Sequence, residues 1–94
     1  MAAQIMAGAP VADAVMADVA ARVARLARHR RPPGLGTILV GDDPASAGYV
    51  ARKHEACQRV GMRSFNRHLP ATATQEDLLG AVREWNADPD VDGF

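Results

Sequence analysis

Val11, Val15, Val19, Val23 and Leu26 recur at steps of four, four, four and three residues, the spacing of one face of an amphipathic helix. This periodicity predicts a helix over 10–29. Arg22, Arg25 and Arg28 lie towards its far end, where cations complement the helix dipole. Pro32, Pro33 and Gly34 stop it. The apolar run 35–40, closed by Gly41, reads as a buried strand. Asp42, Asp43 and Pro44 then supply an acidic cap and a proline at the first helical position, which predicts a second helix over 44–60 with Gly61 as its terminator. The more polar stretch 62–69 alternates imperfectly and is expected to be a strand near a sheet edge. A third helix is predicted over 74–87, with Leu78, Leu79, Val82 and Trp85 on its core side and Thr74 and Asp77 as a capping-box pair. Residues 91–94 read as the opening of another strand. Helix, strand, helix, strand, helix, strand is the rhythm of an α/β domain whose mostly parallel sheet is flanked by helices. A strand that opens at the last residue is expected to belong to something longer.

The second helix contains an anomaly. Counting from Tyr49, the residues Val50, Ala56, Cys57 and Val60 form one continuous apolar face, and the member missing from that face is Lys53, one turn from Tyr49. Arg52, His54, Glu55, Gln58 and Arg59 point away. One reading is that Lys53 snorkels, its methylenes covering apolar surface while the ammonium reaches water. The other is that it lines a cleft, where desolvation disfavours the charged form and frees the amine as a base. Its position just after the carboxyl end of a strand, where open parallel sheets bind ligands, suits the second reading.

Composition narrows the function classes. Ninety-four residues make one small domain, and 48% hydrophobic with 23% charged residues is the balance of a folded chain. Aromatics supply only 4%, so the core is expected to be thin and largely aliphatic. Eleven basic residues balance eleven acidic ones, which argues against a nucleic-acid footprint and a polybasic membrane patch. The single cysteine, Cys57, excludes an internal disulfide, and no Cys/His spacing suggests a zinc site. The N-terminus lacks a basic leader, and Asp13 and Asp18 interrupt its apolar character, unlike a signal peptide. No stretch approaches the ~20 apolar residues of a membrane span. A cytoplasmic setting is expected.

The remaining candidates are weaker. The segment 41–46 is superficially like a phosphate loop, but it lacks the glycine pattern of one and its two aspartates would repel an anion. Asp43 is most simply a helix cap, and Ser46 sits on the first turn of the second helix. His29, His54 and His68 have no partner in sequence and read as surface residues.

These residues resemble a known family. Pro33-Gly34-Leu35 leading into Ile38-Leu39-Val40-Gly41-Asp42-Asp43-Pro44-Ala45-Ser46, then Tyr49-Val50, Lys53, Ala56-Cys57 and Gly61, are similar to the N-terminal part of the bifunctional methylenetetrahydrofolate dehydrogenase/methenyltetrahydrofolate cyclohydrolases. The likeness extends to Ala3-Gln4-Ile5 with Gly8, to Leu69-Pro70 and to Val91-Asp92-Gly93-Phe94, so it covers essentially the whole chain. It departs at Ala51-Arg52, where Arg-Asn is common. The resemblance implies that 1–94 is a truncated tetrahydrofolate-binding catalytic domain, with Lys53 as the catalytic lysine, Tyr49 packing against the folate ring system and Ser46 in a supporting role. It implies NADP-dependent oxidation of 5,10-methylenetetrahydrofolate to the methenyl form, and hydrolysis of that form to 10-formyltetrahydrofolate. The family's NADP-binding Rossmann domain is not among these residues, so no NADP site is expected in this chain. Expected partners are a small-molecule folate and, after the family's dimers, a homo-oligomer, with no nucleic acid and no membrane. The alternative is an inactive fragment that serves as a folate-binding or protein-interaction module.

Overall fold

The computed structural model describes residues 8–94, so the Ala3-Gln4-Ile5 part of the likeness lies outside the described residues. Five elements follow in order: α1 (Gly8–Ala27), β1 (Gly34–Val40), α2 (Pro44–Val60), β2 (Arg63–Leu69) and α3 (Gln75–Ala87). β1 and β2 pair in parallel, from Gly34 opposite Arg63 to Val40 opposite Leu69. On the other side of β1, Gly93 forms a parallel bridge with Leu35: the Gly36 amide donates to the Gly93 carbonyl, and the Asp92 amide donates to the Gly34 carbonyl, both at 2.8 Å. β1 is therefore the interior strand, as its apolar run predicts.

This order reverses direction at β1. The chain steps from β1 to β2 on one side, then returns past β1 to Gly93 on the other. Right-handed crossovers then require α2 and α3 to cover opposite faces, and the side chains agree. Leu35 shares an apolar hollow with Met16, Val19, Cys57 and Val60 of α1 and α2. At Gly36, one residue on and therefore facing the other way, a Cβ would lie 3.1 Å from the Trp85 ring of α3. Trp85 in turn meets Phe65 of β2, ring centroids 6.3 Å apart. The carboxyl end of β1 is thus a topological switch point, the usual place for a ligand crevice.

The helix ends follow their sequence signals. Asp43 caps α2, with Pro44 in its first turn. Gly61 ends it with φ 84°, in the left-handed region that favours glycine, and the Met62 amide donates to the Cys57 carbonyl at 2.9 Å. Thr74 and Asp77 form the reciprocal capping box of α3, at 3.1 and 2.9 Å.

Burial corrects two expectations. On α1 only Val23 is buried, Val19 is half-buried, and Val11 and Val15 are 66% and 56% exposed. A 20-residue helix runs about 30 Å, and α1 faces α2 along the line of Met16, Val19 and Val23, with Asp13 3.7 Å from Arg59; Val15 lies to one side of that line and Val11 short of it. On α3 the buried residue is Ala81, while Val82 and Trp85 are half-buried and Leu78 and Leu79 exposed. The small Ala81 side chain lets the helix backbone approach the sheet, and the leucines reach past the edge of so narrow a sheet.

Candidate functional site

A groove of about 630 Å³ opens beside the carboxyl end of β1, lined by Ile38, Val40, Ser46, Tyr49, Val50 and Leu78 among others. Residues of both α2 and α3 line it and none of β2 does, so it lies along the β1 edge remote from β2, at the switch point. Its walls are aliphatic apart from the Ser46 hydroxyl and the Tyr49 phenol, which suits a flat, largely apolar ligand with few polar groups.

The turn before α2 sets the positions of Ser46 and Tyr49. Gly41 is buried with φ 83°, and its amide donates to the Leu69 carbonyl at 2.9 Å. The Gly41 carbonyl accepts from His68 Nε2 at 2.8 Å, and that nitrogen is 3.6 Å from Asp42 Oδ1. Asp43 then accepts from the Ala45 amide at 3.3 Å through Oδ1, and from the Ser46 hydroxyl at 3.1 Å through Oδ2. With its proton directed to Asp43, the half-buried Ser46 Oγ keeps lone pairs for a ligand donor in the groove.

Lys53 lines a second hollow and not the groove itself. Its half-buried stem lines the apolar space of about 220 Å³ between α1 and α2, with Met16, Val19, Leu35, Cys57 and Met62. Its ammonium lies 4.9 Å from the centroid of the Tyr49 ring, within cation–π range. The methylenes cover apolar surface, as the snorkelling reading has it, and the charged end stands beside the ring that lines the groove. Tyr49 is 55% exposed, so the second helix's apolar face stops short of it. The structure thus brings Tyr49 and Lys53 together, and Tyr49 and Ser46 into one groove. Burial pushes the Cys57 thiol up from its ordinary value, against the opposing pull of Lys53.

His68 is the residue that sequence reasoning missed. Its role depends on the parallel register that sets Val40 against Leu69, and no local spacing reveals that. The imperfect alternation of the strand held the available signal, because it puts His68 with Ser64 and Asn66 on the face towards α2.

The family model of the tetrahydrofolate dehydrogenase/cyclohydrolase catalytic domain matches residues 6–94. The chain belongs to that family. It is similar to the bifunctional FolD protein of Syntrophotalea carbinolica, with 55% identity over 94 residues, all of this chain and 32% of that protein. Among solved structures it is similar to the 5,10-methylenetetrahydrofolate dehydrogenase of the silkworm Bombyx mori, with a TM-score of 0.91 and 33% identity, covering 98% of this chain and 32% of that one. It is also similar to the methylenetetrahydrofolate dehydrogenase-cyclohydrolase of Trypanosoma brucei, solved with NADP cofactor and inhibitor, with a TM-score of 0.87 and 35% identity, covering 95% and 31%. The chain spans about a third of the length of the curated relatives it matches. Among the described residues no helix is long and apolar enough to cross a membrane, and no cluster of His, Cys, Asp and Glu could hold a metal ion.

Proposed function

We propose that this chain provides the folate-binding wall and the proton-transfer lysine of a methylenetetrahydrofolate dehydrogenase/methenyltetrahydrofolate cyclohydrolase. The observation that carries the reading is the Lys53 ammonium 4.9 Å from the Tyr49 ring, at the groove beside the carboxyl end of β1. A pterin-like ring stacked on Tyr49 would place its one-carbon bridge near Lys53. The methenyl substrate carries a delocalised cation, which disfavours an ammonium beside it. The neutral amine takes a proton from the water that attacks the bridging carbon, and the protonated form can return it as the ring opens to the 10-formyl product. Ser46 Oγ accepts a ring N–H, held in place by Asp43.

In the oxidation, NADP supplies a hydride acceptor. The turn between β1 and α2 does not fit its pyrophosphate: Asp42 and Asp43 place carboxylates at the helix N-terminus, and Pro44 has no amide hydrogen to offer. The dinucleotide is assigned to the part of the longer relatives that lies beyond this similarity, and the role of this chain in that step is to hold the folate in line.

Titrating tetrahydrofolate into the isotopically labelled chain tests the binding half of the proposal. The amide resonances of Ser46, Tyr49 and Lys53 are expected to move together, and Tyr49→Ala to weaken binding at least about tenfold by removing the stacking surface. Shifts confined to other surfaces would overturn the assignment.

A further inference from the structure

The chain is neutral overall, but its charge is unevenly placed. Arg22, Arg25, Arg28, Arg30 and Arg31 put five of the eleven cationic side chains within ten residues, and no acidic residue occurs between Asp18 and Asp42. The structure divides this group in three. Arg30 and Arg31 turn to the C-terminal segment, where both pair with Asp92 at 2.8 Å, and Arg31 approaches Asp90 at 3.6 Å. Arg22 pairs with Asp18 at 3.0 Å along α1. Arg25 and Arg28 form no ion pair among the described residues.

These cations flank a shallow surface depression open to solvent. Arg22 and Arg25 on the last turns of α1, and Arg28 and His29 just past its end, line a space of about 470 Å³, with Leu26, 40% exposed, among them. Arg22, Arg25 and Leu26 fall at i, i+3 and i+4, so they share one helix face, and Arg28 follows directly after the helix ends. Complementing the helix dipole accounts for about half a unit of charge, less than this cluster carries. The surface is also remote from the groove, since α1 ends beside the amino end of β1 and the groove lies at its carboxyl end.

We propose that this face of α1 docks an acidic segment of a partner protein, with carboxylates meeting Arg25 and Arg28 around an apolar anchor seated on Leu26. Charge complementarity selects an anionic partner, and the central leucine selects one with an apolar side chain between its acidic residues. A nucleic acid, whose outer surface is phosphate, would leave the leucine unmatched, and the neutral chain offers it no extended basic track.

The test is fluorescence anisotropy with a labelled peptide carrying a leucine pair between runs of glutamate. A glutamate-only peptide and a single-stranded oligonucleotide, each of equal charge, serve as competitors. The leucine-containing peptide is expected to bind most tightly, with affinity falling as salt rises. Arg25→Glu combined with Arg28→Glu is expected to weaken binding at least about tenfold. Arg25→Gln with Arg28→Gln, which does not oppose the helix dipole, is expected to weaken it less but measurably, and circular dichroism checks that each variant keeps its helices. Unchanged binding in a folded double variant, or tighter binding of the oligonucleotide or the glutamate-only peptide, would overturn the proposal.

Discussion

The Lys53 side chain passes from an apolar hollow beneath α1 to the face of the Tyr49 ring, and so experiences two environments along its length. Helical spacing alone reveals that a lysine interrupts the apolar stripe and that Tyr49 shares its side of α2. It does not reveal that α1 supplies Met16 and Val19 to cover the lysine stem, because that contact joins residues more than thirty positions apart. Cys57, one turn on, was legible as a small core residue and is 5% exposed. Its raised thiol pKa follows mainly from burial, so the reactive thiolate is scarce in the folded chain. An aromatic disulfide reagent at mildly alkaline pH is therefore expected to modify Cys57 slowly in the native protein and at least about tenfold faster once denaturant is added. Equal rates in the two states would show that the thiol is accessible and the packing of α1 on α2 wrong.

α2 carries the site, and its two ends are the most completely specified feature in the sequence. Asp43, Pro44 and Gly61 each have a local chemical reason to stand where they do, which is why the predicted bounds 44–60 match the structure. A Cβ at Gly61 would find only an ordinary contact with Val23, 3.5 Å away, so the cost of substitution lies in the positive φ rather than in space. Gly61→Ala is expected to destabilise the fold by about 1 kcal/mol, read from the denaturation midpoint. An unchanged midpoint would contradict the left-handed cap. α1 was less legible. Its valine stripe identifies the helix and its inner face, but periodicity cannot state how far the opposing surface extends, and Val11 and Val15 stay exposed. The same holds for Leu78 and Leu79 of α3, whose apparent core side outruns the sheet.

At the scale of the molecule the chain is a slab, 57 × 38 × 17 Å, closed at one corner by charge. Asp92 accepts from Arg30, Arg31 and the Gly34 amide, which ties the segment after α3 to the start of β1 and holds its carboxyl well below the usual carboxylate range. A depressed carboxylate stabilises the fold above its unfolded value, near pH 4, and that contribution is lost as pH falls from there through the folded value. Exchange of the Gly36 amide, bonded to the Gly93 carbonyl, is expected to lose protection on acidification in this chain. In Asp92→Asn the protection should be weaker at neutral pH and less sensitive to acid. Identical profiles would remove Asp92 from the account. The α/β alternation and the likeness to the folate family were legible along the whole chain, whereas this tie, formed across some sixty residues, was not. The central claim, that Lys53 moves the proton, is tested most directly in a full-length bifunctional relative with methionine at the position matching Lys53. Methionine keeps the stem packed and removes the amine. Methenyltetrahydrofolate hydrolysis is expected to fall by roughly 10²–10⁴-fold while folate affinity changes little; near-normal hydrolysis in that enzyme would contradict the claim.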